Sequence, residues 1–324
     1  MRFFVAGVSC HKRATSIRLR AALAVTEGRS RDTVEVVGDR VLLTVDDVLI
    51  AHDPEYTAQR YDAYAEREWE RHQATWAART SFAIHCHYLT MFVRSGDLVL
   101  DAGAGPGRFT IELANLEARV HVGDLSEVQL RLNAERVQAA GRESAVISRV
   151  KVDICDMAMF PDGQFDAVVC FGGPISYAMD RADVALSELC RVTRPGGHVL
   201  LSVMSSAGAA RRFLPQILDE GRRFGPEYND KVLETGDLAR DTNDGHECHM
   251  YRWSELSQLL AQHGEIVGAS ATNFLTAQHD EALNMASGTE LQQIVRWELE
   301  LCREPGALDG GTHILAVLQT PDNR

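Results

Sequence analysis

The strongest constraint on the fold is a short apolar run that ends in a glycine-rich turn. The run Asp97–Asp101 is followed by Ala-Gly-Ala-Gly-Pro-Gly at residues 102–107, and a helical pattern begins at Arg108. Glycine lets the backbone turn sharply and lets a ligand approach without meeting a Cβ atom. The first turn of a helix also presents unpaired N–H groups. The pattern predicts a strand, a ligand-binding turn and a helix at Arg108–Leu116.

The middle of the chain repeats this alternation of strand and helix. Repeated βα units with nearly continuous apolar strands are typical of a parallel sheet with helices on both faces. The sequence therefore predicts an α/β fold with a doubly wound, mostly parallel, seven-stranded Rossmann-like sheet that ends in an antiparallel C-terminal hairpin. The further predicted elements are strands at Ala118–Asp124, Ala145–Asp153, Phe165–Phe171, Val199–Val203, Glu265–Phe274 and Thr312–Thr320, a helix from Ser126 to about Ala140, helices at Asp180–Val192, Ala207–Gly221 and Ser254–His263, and a tight turn at Arg194–Gly197.

Three parts are predicted along the chain. Residues 1–53 form a basic N-terminal extension, residues 54–95 form a helical cover, and residues 96–324 form the main domain. The main domain carries two helical lid insertions, at about residues 207–252 and 281–302. Within the extension, Val34–Val37 and Arg40–Val45 flank Gly38-Asp39, a pattern that predicts a two-residue β-hairpin.

The first 31 residues contain seven Lys or Arg side chains and one acid, Glu27. This composition leaves two interpretations open, an amphipathic targeting segment and a loosely ordered basic extension. The second is favoured because the apolar run Phe3–Val8 is short for a secretory segment and no clear cleavage site follows it.

Charge and hydropathy exclude some classes of partner. The 324-residue chain has 33 Lys and Arg against 46 Asp and Glu, a formal net charge of −13. A net negative body repels phosphate backbones, so nucleic acid is not an expected partner. No apolar run approaches the roughly 20 residues that span a bilayer, so no membrane partner is expected. Seven dispersed cysteines without a C-x-x-C pair are typical of free thiols, which predicts a cytoplasmic protein. The oligomeric state stays open, with a homodimer as one alternative.

Acidic residues end three of the predicted strands. Asp101 precedes the glycines, and Asp124 lies about twenty residues beyond them, where nucleoside-binding α/β proteins place an acid for the ribose hydroxyls. Asp153 ends the third strand, where it could accept from an adenine amino group while Ile154 packs on the ring. Two alternatives stay open. Asp124 could instead cap the helix that follows Leu125, and Asp153 could occupy a surface turn.

The glycine spacing disfavours a dinucleotide. Arg108 stands where the dinucleotide fingerprint has its third glycine, and the Asp101 carboxylate would repel a pyrophosphate. A carboxylate at this place suits an ammonium or hydroxyl groups instead. After the fourth strand, Phe171 offers an apolar wall and Gly172 again permits close backbone approach.

Residues from about 96 to 205 resemble the class I S-adenosylmethionine-dependent methyltransferases. The resemblance rests on Asp101 and the three glycines, then Asp124, Asp153, the segment after the fourth strand and Arg194–Gly197, in the family's order. It covers roughly a third to a half of the chain. It implies S-adenosylmethionine as cofactor, with Gly103 near the methionine moiety, Asp124 at the ribose and Asp153 at the adenine. The residues expected at the cofactor are Asp101, Gly103, Ala104, Gly105, Gly107, Asp124, Leu125, Asp153, Ile154, Phe171, Gly172 and, from the helical cover, Tyr61.

A general base for methyl transfer should come from the substrate side. His246 and His249 lie in the first lid insertion, and histidine is suited to proton removal near neutral pH. A surface or capping role for both stays open. They resemble metal ligands, but no second cluster follows at a recognisable spacing, so no metal is predicted. His85 and His87 lie two apart on a predicted helix, point to different faces and are expected to pack against neighbours.

The resemblance implies transfer of a methyl group to an O, N or C atom of a small molecule, with a natural-product intermediate in secondary metabolism as the expected substrate. No Asn-Pro-Pro-Tyr sequence follows the fourth strand, which disfavours methylation of DNA bases or glutamine. Two other classes stay open. One is a regulatory or scaffold protein that binds the cofactor without turnover, and the other is a nicotinamide-dependent oxidoreductase.

Overall fold

The structure, a computed structural model, describes residues 50–71, 73–240 and 245–322, together with the backbone of three short strands before residue 50. The chain divides into two compact units, Met1–Leu49 and Ile50–Arg324. In the first unit, β1 (Phe3–Phe4), β2 (Val34–Val37) and β3 (Arg40–Leu43) form an antiparallel sheet in the order β1-β3-β2. The rest of the predicted basic extension before residue 50 lies outside the described residues.

The second unit contains the strands β4 (Leu98–Ala102), β5 (Arg119–Asp124), β6 (Val146–Lys151), β7 (Phe165–Cys170), β8 (Thr193–Met204), β9 (Asp237–Leu238), β10 (Cys248–His249), β11 (Glu265–Ala271) and β12 (His313–Gln319). Seven of them form one sheet in the order β11-β12-β8-β7-β4-β5-β6. Neighbours from β8 to β6 are parallel, whereas β12 runs antiparallel to both β8 and β11. The predicted fold class is confirmed. The short strands β9 and β10 pair separately.

Helices cover both faces of the sheet. In the described part of the chain, none of them has the length and apolar character that crossing a membrane requires. Of the described helices, three precede β4, four lie between β8 and β11, and two lie between β11 and β12. The helices are α1 (Pro54–Tyr64), α2 (Glu66–Arg71), α3 (Trp76–Phe92), α4 (Arg108–Asn115), α5 (Glu127–Ala139), α6 (Pro174–Tyr177), α7 (Ala182–Val192), α8 (Ser206–Arg212), α9 (Leu214–Phe224), α10 (Pro226–Thr235), α11 (Trp253–Leu260), α12 (Asp280–Met285) and α13 (Gly288–Leu301).

The sheet is buried on both faces because successive side chains of a strand point to opposite sides. In β4, Leu100 belongs to an apolar cluster that includes Leu189 of α7. Its neighbour Val99 belongs to a second cluster with Ile84 of α3 and Leu113 of α4. A strand that is apolar on both sides therefore appears in the sequence as a continuous run, as at residues 98–100.

The predicted tight turn at Arg194–Gly197 lies within β8. There Gly196 has a φ of +67°, and the paired residues of β8 advance from Thr193 to His198 while those of β7 advance only from Phe165 to Ala167. One local prediction was wrong. The predicted single helix Ala207–Gly221 is divided between α8 and α9. The break comes at Phe213, two residues before Pro215, which lacks the N–H that a continuous helix needs there.

Candidate functional site

The glycine-rich turn lies at the carboxyl edge of the sheet, between β4 and α4. Gly103, Gly105 and Gly107 have φ values of +70°, +52° and +96°, a backbone conformation that glycine adopts without strain. At Gly103 there is also no room for a side chain, because a Cβ atom would lie 2.4 Å from Cγ of Pro174. The N–H of Gly103 donates to the carbonyl oxygen of Gly123 at 2.8 Å, which ties the turn to β5.

Asp124 connects this turn to the start of α5. Its Oδ2 accepts from the backbone N–H of Gly105 and its Oδ1 from the backbone N–H of Ser126, both at 2.8 Å. Burial raises the pKa of the carboxyl to about 6, although the two N–H donors act in the opposite direction. Because each carboxylate oxygen has two lone pairs, Asp124 can hold the N–H of Ser126, the N-cap residue of α5, and still accept from hydroxyl groups.

A cavity of about 80 Å³, the smaller cavity, lies where β4, β5, β6 and β7 end, beneath α1 and α2. The structure brings nine of the twelve cofactor residues expected from the sequence to its wall. They are Tyr61, Gly103, Gly105, Asp124, Leu125, Asp153, Ile154, Phe171 and Gly172.

The other three expected residues support the glycine-rich turn. They are not among the described residues that line the smaller cavity. Asp101 is 2% exposed and accepts from the Thr110 hydroxyl at 2.6 Å. Burial raises the pKa of Asp101 to about 7. Gly107 begins α4, where a Cβ atom would lie 3.1 Å from the Asn133 side chain. Ala104 is buried beside them.

The wall of the smaller cavity also contains an ion pair that sequence patterns did not indicate. The Nε2 of His52 lies 2.8 Å from Oδ2 of Asp153, and the N–H of Cys155 donates to Oδ1 of the same carboxylate at 2.8 Å. His52 and Asp153 are about a hundred residues apart and are not part of one motif, so only the folded chain brings them together.

A second, larger cavity of about 780 Å³ adjoins the smaller one. Both are lined by Tyr61, Glu68, Arg71, Gly172 and Tyr177, which mark the junction between them. At this junction Nε of Arg71 donates to the carboxylate of Glu68, whose side chain is 9% exposed. Sequence reasoning missed this pair because α2 has no recognisable motif, although the two residues are spaced for contact on one helix face.

The lid after β8 supplies the apolar side of the larger cavity. This side is lined by Phe213, which precedes α9, by Leu214 and Ile217 of α9, and by Val232 and Leu233 of α10. The opposite side has several polar groups. Among them, the Ser206 hydroxyl is 3% exposed and has no hydrogen-bond partner among the described residues. A mostly apolar chamber with a few polar groups is typical of a small-molecule site.

His246, one of the two histidines expected in catalysis, lines the larger cavity. Burial and the charges of Arg60 and Arg71 lower its pKa to about 4, so the ring is neutral at pH 7. Nη2 of Arg60, which can only donate, lies 3.2 Å from Nδ1 of His246. The ring proton is therefore on Nε2, so the other ring nitrogen of His246 is a hydrogen-bond donor.

His249, the other histidine expected in catalysis, is not among the described residues that line either cavity. Its Nδ1 lies 2.6 Å from Asp237, and its Nε2 lies 2.8 Å from Glu255. Burial lowers its pKa, but the two carboxylates raise it more, to about 9. A ring that is charged and bonded at both nitrogens has no lone pair with which to remove a proton.

His85, which the sequence predicted to pack against neighbours, lines the larger cavity. Its Nδ1 lies 2.7 Å from the Ser81 carbonyl oxygen, and its Nε2 lies 3.0 Å from the Ser202 hydroxyl. The same hydroxyl accepts from the N–H of Gly172 at 2.9 Å. Burial lowers the pKa of His85 to about 4, so the neutral ring holds Ser202 and, through it, the backbone at the cavity junction.

The chemistry of the smaller cavity fits S-adenosylmethionine. Carboxylates such as Asp124 suit hydroxyl, amino and ammonium groups, and the partly exposed Arg71 suits a carboxylate. Leu125 and Ile154 provide apolar walls for a flat ring. A pyrophosphate would instead meet the two negative side chains Asp124 and Asp153, so the donor set does not fit a dinucleotide.

Comparisons with known sequences give the same family. The family described as "Methyltransferase domain" matches residues 99–197. The demethylmenaquinone methyltransferase of Thermobifida fusca is 32% identical over 200 residues, which cover 61% of this chain and 78% of that protein. A ubiquinone/menaquinone biosynthesis C-methyltransferase UbiE, from Chromobacterium violaceum, is 34% identical over 121 residues, 36% of this chain, and the match spans 47% of that relative's length.

Solved structures share the fold. The N1-methyltransferase of Burkholderia thailandensis that was crystallised with 1,6-didemethyltoxoflavin and S-adenosylhomocysteine has a TM-score of 0.53 at 19% identity, covering 89% of this chain and 98% of that chain. The [4+2]-cyclase SpnF has a TM-score of 0.54 at 16% identity, covering 85% of this chain and 99% of that chain. This chain belongs to the class I S-adenosylmethionine-dependent methyltransferases, because it shares their strand order and glycine-rich turn and is similar to the Thermobifida fusca relative over most of that protein's length.

Proposed function

We propose that this protein transfers a methyl group from S-adenosylmethionine to a carbon atom of an apolar, hydroxylated small molecule. The observation that carries the proposal is the larger cavity, about 780 Å³ and mostly apolar, which meets the smaller cavity at Glu68 and Arg71. Carbon as the acceptor atom is supported by the relatives named C-methyltransferase. A quinone precursor or a natural-product intermediate has the required combination of apolar bulk and ring hydroxyls.

In this proposal the cofactor occupies the smaller cavity and extends to the junction. Asp124 accepts from the ribose hydroxyls and Asp153 from the adenine amino group, with Ile154 against the ring. Arg71 and Glu68 suit the carboxylate and ammonium of the methionine end, because opposite charges pair best where water is excluded. The bound cofactor supplies a methyl group that its sulfonium makes electrophilic.

The protein's own contribution is orientation and exclusion of water. Phe213 and Leu214 of the lid give the acceptor an apolar chamber, and the unpartnered hydroxyl of Ser206 offers it one polar contact. We propose that Nε2–H of His246 donates to an oxygen of the acceptor. This makes His246 an orienting group, because its lone pair already accepts from Arg60.

Two other functions would use the same fold. A nicotinamide-dependent oxidoreductase is disfavoured by the carboxylates Asp124 and Asp153, which would face a pyrophosphate. A cofactor-binding protein without methyl transfer is the second alternative, and one protein with a similar fold, SpnF, is named a [4+2]-cyclase. The decisive experiment therefore follows the methyl group itself.

The test incubates the purified protein with S-adenosylmethionine that carries a trideuterated methyl group and with a panel of short-chain naphthoquinols, benzoquinols and phenols. A mass gain equal to one labelled methyl, located on a ring carbon by NMR, is the expected result. The matched variant His246→Gln should turn over more slowly than the wild type while it binds S-adenosylhomocysteine equally well. Label transferred only to oxygen or nitrogen would contradict the carbon assignment, and cofactor binding with no transfer to any acceptor would favour the non-transferring function.

A further inference from the structure

The segment before α1 places His52 in the wall of the smaller cavity, outside the region that carries the family's motifs. Its side chain is only 4% exposed. Three neighbouring segments hold it. Its Nε2 lies 2.8 Å from Asp153, its Nδ1 lies 3.2 Å from the carbonyl oxygen of Tyr177, and its backbone N–H donates to Asp180 at 2.8 Å. His52 is thus fixed on both sides of the ring.

The surroundings of the ring determine its charge. A backbone carbonyl and an ionised carboxylate only accept hydrogen bonds, so both ring nitrogens of His52 must carry protons. Burial would lower its pKa, but the hydrogen bond to Asp153 and the charge of that carboxylate, together with the nearby Cys155 side chain, raise it to about 10. In turn, the His52 contact and the N–H of Cys155 outweigh burial and hold the pKa of Asp153 below its usual value.

We propose that His52 is a positioning residue for the adenine end of the cofactor site. Its imidazolium holds the Asp153 carboxylate in one orientation at the cavity wall, so that a remaining lone pair accepts from the 6-amino group of adenine. His52 thereby sets the preference for a 6-amino purine over a 6-oxo purine. This inference rests on the proposed binding of S-adenosylmethionine in the smaller cavity.

The geometry explains why Asp153 needs this partner. The N–H of Cys155 holds only Oδ1. Without His52, the Oδ2 end would lose its cationic neighbour, and a half-buried carboxylate without a partner rotates towards water or takes up a proton. A protonated Asp153 is a weaker acceptor for an amino group and can donate its O–H to a carbonyl oxygen instead, and a rotated Asp153 holds neither group, so the preference for the amino group falls.

The test measures, by calorimetry on the full chain, the affinities of S-adenosylhomocysteine and of its 6-oxo analogue S-inosylhomocysteine. The wild type should bind the amino compound about ten- to a hundredfold more tightly, as expected for a hydrogen bond to a charged group. In His52→Asn this preference should fall by about tenfold. The matched control is His263→Asn, which removes another histidine that lies 2.8 Å from an aspartate, Asp183, away from both cavities. Its preference should equal that of the wild type.

Each outcome has one meaning. If the wild type binds neither compound, the proposed function fails. If His52→Asn and the wild type show the same preference, the positioning role of His52 fails and the proposed function stands. If His52→Asn does not fold, His52→Gln and an NMR titration of the wild-type imidazole replace it. A His52 ring that stays protonated above pH 8 supports the inference, and one that titrates near pH 6.5 overturns it.

Discussion

Two histidines three residues apart have opposite charge states in this protein. His246 is buried beside two arginines, and its pKa falls to about 4. His249 lies between two carboxylates, and its pKa rises to about 9. The sequence His-Glu-Cys-His predicted a catalytic base from residue type, but residue type does not determine the neighbours that set the protonation state. Those neighbours come from α1, α2, β9 and α11, which no local pattern connects.

The first residue-scale prediction concerns His249. Its folded pKa of about 9 exceeds the unfolded value near 6.5, so its stabilising contribution is complete below pH 6.5 and is lost as the pH rises through about 9. His249→Asn should lower the melting temperature most at pH 6 and least above pH 9.5. The variant should retain the wild-type affinity for S-adenosylhomocysteine. A melting difference that is the same at all pH values would contradict this account.

A second prediction concerns the protonation of Asp124. Burial raises its pKa to about 6 in the free protein. Ribose hydroxyls that donate to the carboxylate would favour its ionised form, so ligand binding should release a proton. The affinity for S-adenosylhomocysteine should therefore rise between pH 5 and pH 7 and level off above. Calorimetry in buffers of different ionisation enthalpy measures the released proton. Asp124→Asn should remove this pH dependence. An unchanged pH profile in the variant would contradict the assignment of Asp124 as the group that releases the proton.

At the level of elements, the sequence predicted each parallel strand of the sheet to within a few residues, apart from the bulged start of β8. The central strands β4 and β7 are almost wholly buried and appear as short apolar runs, so the local pattern carries the information. The lid was less predictable. Its contacts with α1, such as the Tyr56 hydroxyl donating to the carbonyl oxygen of Gly245 at 2.6 Å, join segments almost two hundred residues apart. No periodicity within either segment records such a contact.

Helix α13 illustrates a long-range role that the sequence pattern did not show. Glu298 is 0% exposed, and its carboxylate accepts from the N–H groups of Phe274 and Thr276 and from the Thr276 hydroxyl. It thus organises the loop that follows β11. Glu298→Gln keeps the shape but exchanges an acceptor for a donor, so we expect a loss of about 1–3 kcal/mol in the free energy of unfolding. Chemical denaturation measures it. The exposed neighbour Glu300→Gln is the control, and equal effects of the two changes would contradict this role.

At the scale of the whole molecule, the described residues that line the two cavities all belong to the unit Ile50–Arg324. A fragment that begins at Ile50 should therefore fold and bind S-adenosylhomocysteine with the affinity of the full chain. Calorimetry and a thermal melt on the fragment check this expectation. A fragment that folds but binds at least tenfold more weakly would show that residues 1–49 contribute to the site.

The sequence predicted the edge of the sheet that carries the candidate site, but it predicted the side-chain chemistry there only in part. The carboxyl ends of parallel strands meet at one edge, so the glycine turn, Asp124 and Asp153 were expected near one another, and they line one cavity. The residues that adjust them, His52, Glu68 and Arg71, come from the helical cover and the segment before it. Their contacts depend on how that cover packs on the sheet, which strand and helix patterns do not specify.

The central claim is that the glycine-rich turn and Asp124 bind S-adenosylmethionine. Calorimetric titration with S-adenosylhomocysteine tests it most directly, on the wild type and on Asp124→Ala. The account predicts binding to the wild type, no response to NADH, and an affinity weakened by about 1–3 kcal/mol in a variant that remains folded. Binding of NADH without any response to S-adenosylhomocysteine, or an affinity that Asp124→Ala leaves unchanged, would contradict it.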